Sequence, residues 1–272
     1  MPQAAVPRPR QRAAAGAPRS DPQFAQTLER GLRVLQCFGA NSPALGNGEL
    51  ATMTGLAKPT VSRLTSTLIE LGYLRRRDDS ARFEVGTGVL CLGYPVLARL
   101  AFRRVAMPHL TRLAKALDGV VAISVRDRLR MVTLENAIHR DILRRGAATG
   151  FTLDFVGSTV GRGWLAGASA SERERLMREV AQSAPDQVER LAQDQADVRK
   201  QLARRGFVWL EGAVRPDTVA LATPLERRPG DELLVLSCAV DLPPPRAAAV
   251  MREAGSLMLD TARQIATELT SG

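Results

Sequence analysis

Residues 48–85, GELATMTGLAKPTVSRLTSTLIELGYLRRRDDSARFEV, decide the fold of the first part of the chain. The spacing predicts a short helix over about 48–53 that ends before Gly55. A second helix starts at Lys58-Pro59, because proline at the first helical position gives up an N–H that would have no intrahelical acceptor. Val61, Leu64, Leu68 and Leu71 recur at i, i+3, i+7 and i+10 and form one apolar stripe. Ile69 sits partly off that stripe, and Gly72 stops the helix. Two short strands are predicted at 73–77 and 82–85, joined by the turn residues Asp78, Asp79, Ser80 and Ala81. Two helices followed by a basic hairpin predict a winged helix-turn-helix.

The face opposite the stripe carries Pro59, Ser62, Arg63 and Ser66, with Lys58 and Thr60 at the N-terminal end. Small polar residues permit close approach to a groove, and one long donor can read a guanine edge or hold a phosphate. Lys58, Thr60, Ser62, Arg63 and Ser66 are therefore the candidate reading residues. Arg75, Arg76 and Arg77 of the hairpin are candidates for phosphate or minor-groove contact.

Outward from this block, a helix is expected at about 24–38 with Leu28, Leu32 and Leu35 on its apolar face. The loop ANSPALGN links it to the next helix. Residues 1–22 lack apolar periodicity and read as a disordered basic tail with Arg8, Arg10, Arg12 and Arg19. A linker helix follows the hairpin, with Pro95 expected to kink or break it. A further helix is expected at about 107–117. Beyond Gly119 the pattern alternates between strands (VVAISVRD, LRMVTLEN, 207–210, 218–225, 232–240) and helices (159–167, 172–181, 186–205, 246–269). Ser171 and Glu174 fit a capping box for the second of these helices. This predicts an α+β two-domain chain: a basic tail (1–22), a winged helix-turn-helix domain (23–86), a linker helix (87–103) and a C-terminal α+β domain with an antiparallel sheet (104–272).

Composition narrows the function classes. The 272 residues are 45% hydrophobic and 24% charged, with a net charge of +10. Residues 1–85 hold 12 basic and 7 acidic residues, so half of the excess lies in under a third of the chain. Such a balance favours an anionic partner. No apolar run approaches the roughly 20 residues that a membrane span needs, and no secretory leader is readable. Cys37, Cys91 and Cys238 are far apart and odd in number, which fits a reducing, cytoplasmic compartment and gives no metal-ligand spacing. With two histidines, His109 and His139, neither a metal nor a cofactor is expected.

TLERGLRVLQCFG, ELATMTGLAKPTVSRLTSTLIELGYL and RFEVGTGVLCLG, followed by MPHLTRLAKALDGVVAISVRD, GFTLDFVGSTVGRGWLAG and RRGFVWLEGAVRPDTVALATPL, resemble the IclR family of bacterial transcription regulators over about residues 24–270. The resemblance implies a regulator that binds a palindromic double-stranded DNA operator as a homodimer or homotetramer. It also implies a GAF/profilin-like C-terminal domain that takes a small organic-acid effector, often aromatic or a short oxo-acid. The chain departs from the family pattern at Asp154, where proline is usual, at Asp217, where glycine is frequent, and at Pro95.

The residues agree with an acid site at one place. Gly157, Ser158 and Thr159 open a helix whose free N–H groups can hold a carboxylate, with Ser158 as its cap. The family pattern adds Asp217 and Val219, then Ser237 and Ala239, which alternate on LLVLSCAV with Cys238 pointing opposite. Phe151, Leu153 and Phe155 alternate and are read as core rather than pocket; Trp164 is read as core. His109 and His139 are read as surface or capping residues. Two alternatives stand beside the regulator: an architectural DNA-binding protein without effector, and a thiol-dependent enzyme using Cys238, which lacks a readable histidine–acid pair.

Overall fold

The computed structural model describes residues 23–39, 42–99, 102–139, 148–212, 216–227, 231–242 and 247–271. The basic tail expected at 1–22 lies outside them. The chain divides into two compact units after Arg99.

The first unit runs α1 (Gln26–Leu35), β1 (Ala44–Gly46), α2 (Asn47–Thr54), α3 (Lys58–Glu70), β2 (Leu74–Arg76), β3 (Arg82–Val85) and α4 (Gly88–Arg99). β1, β3 and β2 form an antiparallel sheet in that order, so the ANSPALGN loop supplies a strand that the sequence reading missed. Val34, Leu50, Val61, Leu68, Leu74 and Phe83 form the core. The α1 expectation needs correction. Leu28 is 64% exposed, whereas Val34 is fully buried, because the line Gly31–Val34, not Leu28–Leu32, meets α3. Leu71 also stays exposed, since α3 ends one residue earlier. α4 continues unbroken through Pro95, and Leu90, Leu92, Tyr94 and Val96 are exposed on it.

α2 begins where Glu49 accepts the Gly46 N–H at 2.8 Å. The same carboxylate binds Arg82 of β3 through both oxygens at 2.5 and 2.6 Å, and so joins the helix-turn-helix to its wing.

The second unit runs α5 (Phe102–Leu117), β4 (Val120–Asp127), β5 (Arg130–Ile138), β6 (Thr152–Asp154), α6 (Thr159–Gly167), α7 (Ala170–Ser183), a 3-10 turn (Pro185–Gln187), α8 (Val188–Arg205), β7 (Val208–Glu211), β8 (Thr218–Pro224), β9 (Leu234–Asp241) and α9 (Ala247–Ser271). Its antiparallel sheet has the order β6-β5-β4-β9-β8-β7. α5 and α9 cover one face, where Leu110, Met258 and Ile265 meet Ile123, Leu221 and Leu236. α6, α7 and α8 cover the other, where Val160, Trp164, Leu176 and Leu191 meet Val208, Ala222 and Val235. Each strand therefore divides its alternate residues between two apolar layers. No described helix is long and apolar enough to cross a membrane.

The capping box of α7 is Ser169–Glu172, not Ser171–Glu174, because the helix starts at Ala170 and Glu172 occupies its third position. Glu172 accepts the Ser169 N–H at 2.8 Å and also takes Arg227 with both oxygens at 2.8 Å. At β7, the outermost strand, Gln201 of α8 accepts the Trp209 N–H at 2.9 Å and donates to the Trp209 carbonyl at 3.1 Å. An amide side chain thereby mimics a neighbouring strand at that position.

Candidate nucleic-acid interface and ligand pocket

α3 starts at Lys58 with proline in its first turn and has Ala57 as N-cap. Val61, Thr65 and Leu68 face inward, and Thr65 donates to the Ser62 carbonyl at 3.1 Å. Lys58, Ser62, Arg63 and Ser66 are exposed and Thr60 is half-buried, so the predicted reading residues share the outer surface of one helix. Thr67 is also exposed there and was not foreseen.

The charges of this unit are partitioned. Arg33 pairs with Glu29 and donates to the Thr54 carbonyl, and Arg82 is held by Glu49. Arg75 pairs with Glu84 at 2.8 Å and Arg77 with Asp79 at 2.7 Å. Arg76 stacks on the Phe83 ring, 5.4 Å from its centroid. Among the residues of this unit whose side chains are described, Lys58 and Arg63, both on α3, have no such partner, and Arg30 of α1 meets the Gln26 amide oxygen at 3.4 Å. The three candidate wing arginines Arg75, Arg76 and Arg77 do not share one face. Strand alternation places Arg76 with Leu74 on the Phe83 side and Arg75 on the opposite side with Glu84.

In the second unit, Ser158 caps α6: its hydroxyl accepts the Gly161 N–H at 3.0 Å and donates to the Phe155 carbonyl at 3.1 Å. Gly157 has φ +80°, a conformation that favours glycine. Its N–H is donated to Asp194 of α8 at 2.7 Å, so this N–H is not available to a ligand as the sequence suggested. Asp194, 1% exposed, also accepts from Arg162, 5% exposed, at 2.8 and 3.1 Å. Arg190 adds a contact at 3.5 Å. Neither Asp194 nor Arg162 was singled out from sequence. A buried carboxylate needs compensating donors, but their 32-residue separation gives no local signal.

Thr159 is 4% exposed, and its hydroxyl has no hydrogen-bond partner in the described structure. The N–H groups of Thr159 and Val160 likewise have no partner among the described residues, as expected of a first helical turn. Gly163 lies against Val235 and Ala222, and Gly167 against Pro224. One turn of α6 thus spans two residues of β8, which puts the first turn of α6 above Ala220 and the adjacent Ser237 and Ala239. Ala220, Ser237 and Ala239 are small and only half-buried, and Ser237 donates to the Ala122 carbonyl at 3.4 Å.

Two expected wall residues lie elsewhere. Val219 is fully buried against α5 and α9, because its neighbour Ala220 takes the α6 side of β8. Asp217 is exposed just before β8, and its carbonyl accepts the Leu242 N–H at 2.7 Å. Phe155 is core, edge-on to Trp164, with Arg126 over both rings; Leu153 is exposed and does not share its packing. His109 is buried rather than superficial: Nε2 lies 2.9 Å from Glu268, and Nδ1 is 2.7 Å from Arg112. Cys238 faces Met258 at 3.9 Å, and burial pushes its thiol up to about 12. A thiol so held is a poor nucleophile at neutral pH, which weighs against the thiol-enzyme alternative. No metal-competent cluster occurs among the described residues.

The first unit is thus a winged helix-turn-helix with exposed cations on α3, joined in sequence to an α+β domain. Residues 27–78 match the IclR helix-turn-helix domain. The structure is similar to that of an IclR family transcriptional regulator from Brucella abortus, with 33% identity, a TM-score of 0.74, and coverage of 95% of this chain and 98% of that one. The chain belongs to the IclR family. It is 44% identical over 109 residues to the HTH-type transcriptional regulator TsaQ1/TsaQ2 of Comamonas testosteroni, an alignment covering 40% of this chain and 39% of that protein. The chain spans about half or less of the first curated relatives it matches. Its fold also matches that of an IclR homolog from Microbacterium hydrocarbonoxydans complexed with 4-hydroxybenzoate, at 22% identity, a TM-score of 0.63, and coverage of 87% of this chain and 99% of that one.

Proposed function

We propose that this chain is a cytoplasmic regulator that binds a palindromic operator through α3 as a homodimer or dimer of dimers, and that a small organic acid, aromatic or aliphatic, controls its occupancy. Lys58, Thr60, Ser62, Arg63 and Ser66 read or grip the DNA, and the wing arginines Arg75, Arg76 and Arg77 lie beside it. A two-fold assembly presents two recognition helices, which is why the operator is a palindrome. The observation that supports the DNA reading is that Lys58 and Arg63 stand exposed on α3 without an ion-pair partner among the described residues, whereas Arg75, Arg77 and Arg82 are each held by a carboxylate. A cation without an internal partner gives up no ion pair on meeting a phosphate or a base edge.

The effector reading rests on the unpaired Thr159 hydroxyl beside the N–H groups of Thr159 and Val160. A carboxylate there would accept all three donors at the positive end of the α6 dipole. Ser237 and Ala239, both small and half-buried, would form the floor. Asp194 does not repel such a ligand, since Arg162 and Arg190 already neutralise it. The relative bound to 4-hydroxybenzoate motivates the choice of probe. Thermal unfolding with and without 4-hydroxybenzoate, followed by DNA-binding titrations with the same compound, tests the reading; a ligand that stabilises the chain without changing DNA affinity would refute the control mechanism.

A further inference from the structure

We propose that Glu84 and Asp79 act as brakes on DNA binding, holding Arg75 and Arg77 of the wing in internal ion pairs that must open before either arginine can grip a phosphate. This rests on the DNA-binding reading above and assigns residues that set its strength.

Strand register puts the relevant groups together. Arg75 stands opposite Glu84 in the β2–β3 ladder. The Arg77 N–H is donated to the Arg82 carbonyl, which places Arg77 and Arg82 side by side on the same surface. Three guanidinium groups therefore share one side of the wing, and each meets its own carboxylate. Arg75 reaches Glu84 at 2.8 Å. Arg77 donates through Nε and Nη2 to the two Asp79 oxygens at 2.9 and 2.7 Å. Arg82 binds Glu49. Arg76 is on the other side, over Phe83. Two charges of the positive run RRR are thus neutralised on one side of the wing, while Arg76 keeps its charge on the other.

Phosphate affinity grows with the number of phosphates that a protein neutralises, each releasing condensed counterions. An arginine bonded to a carboxylate contributes little until that bond opens. Exposed pairs are weak, so DNA can open them, but the acid then remains beside the phosphates and opposes binding. The Arg77 guanidinium and the Ser80 hydroxyl hold Asp79 well below the usual carboxylate range, so it stays charged throughout the pH range of DNA binding. Glu49 differs from the other two acids because it also closes the N-terminus of α2. It is a structural residue and not part of the brake.

The test uses the full chain and a fluorescent duplex of arbitrary sequence, about 25 base pairs long, titrated by anisotropy at several salt concentrations. The combined Glu84→Gln and Asp79→Asn variant keeps the hydrogen-bonding shape of both side chains and removes their charge. Its affinity should rise about tenfold near 0.1 M salt, and the slope of log K against log salt should steepen by about 0.9 for each arginine released. Adding Arg75→Ala and Arg77→Ala to that variant should cancel the gain, while Glu84→Asp with Asp79→Glu should behave as the parent does. The proposal is overturned if the neutralised variant matches the parent in affinity and slope, or if its gain survives loss of both arginines. If neither parent nor variants bind the duplex, the DNA-binding reading falls and the brake falls with it.

Discussion

Asp194 accepts the Gly157 N–H at 2.7 Å. That bond ties α8 to the left-handed turn that launches α6, while the other carboxylate oxygen holds Arg162. Removing one partner of a buried pair leaves the other charge uncompensated. Asp194→Ala should therefore lower the stability of the second unit by about 3–5 kcal/mol. Asp194→Asn, which can still accept the Gly157 N–H, should lose less. Urea unfolding followed by circular dichroism ranks the two, and equal losses would show that the glycine bond carries no weight.

Thr159→Val is the cleaner probe of the pocket. Valine has nearly the same shape and removes a hydroxyl that is buried without a partner, so the unliganded chain should gain up to about 1 kcal/mol. The same change deletes a donor for the ligand carboxylate. Ligand-induced stabilisation by 4-hydroxybenzoate should shrink at least several-fold while unliganded stability holds or rises. Replacing Gly157 by leucine is a poorer test, because its φ of +80° strains any side chain before a ligand is considered.

For the reading face, Arg63→Ala should weaken binding to a cognate duplex by about 1–3 kcal/mol and relax discrimination at one base pair. Arg63 is exposed and outside the apolar core of its unit. Thermal unfolding of the variant should match the parent, and unchanged duplex affinity would take Arg63 off the reading face.

The Arg227 guanidinium on both oxygens holds the Glu172 carboxyl down to about 2, helped by the Ser169 N–H and hydroxyl. Because this value lies below that of the unfolded chain, the stabilisation is fully present above about pH 4.5 and is lost as pH falls toward 2. Glu172→Gln should cost about 1 kcal/mol at neutral pH and progressively less on acidification. Urea midpoints for parent and variant at a series of pH values check the convergence.

Thiol labelling separates the cysteines. Cys91 is exposed, whereas Cys238 is buried with its thiol pushed up to about 12. An aromatic disulfide reagent should modify Cys91 at once and reach Cys238 only at the rate of global unfolding. Fast modification of Cys238 in the folded chain would reopen the question of its chemistry.

Much of this molecule was legible as local pattern. The caps and stripes of α3 and α6, and the alternation of β4, β8 and β9, are written in adjacent residues, and the predicted α6 agrees with its observed span at both ends. What escaped depended on distance along the chain. β1 is three residues long and becomes a strand only because β3 pairs with it. Val219 and Ala220 are neighbours of similar character, and only the placement of α6 decides which one faces that helix. The three wing arginines read as one patch because sequence shows adjacency, whereas Glu84, nine residues after Arg75, returns to it only when the hairpin closes.

Gln201 gives the long sheet a chemical end. A terminal strand invites copying when its outward amides are bare, yet at Trp209 both the N–H and the carbonyl are already satisfied by one side chain of the preceding helix. The sheet is thereby closed to templating at that rung. A second copy of the chain meets no bare amide there, and Gln201→Ala would expose both groups without disturbing any contact in the core.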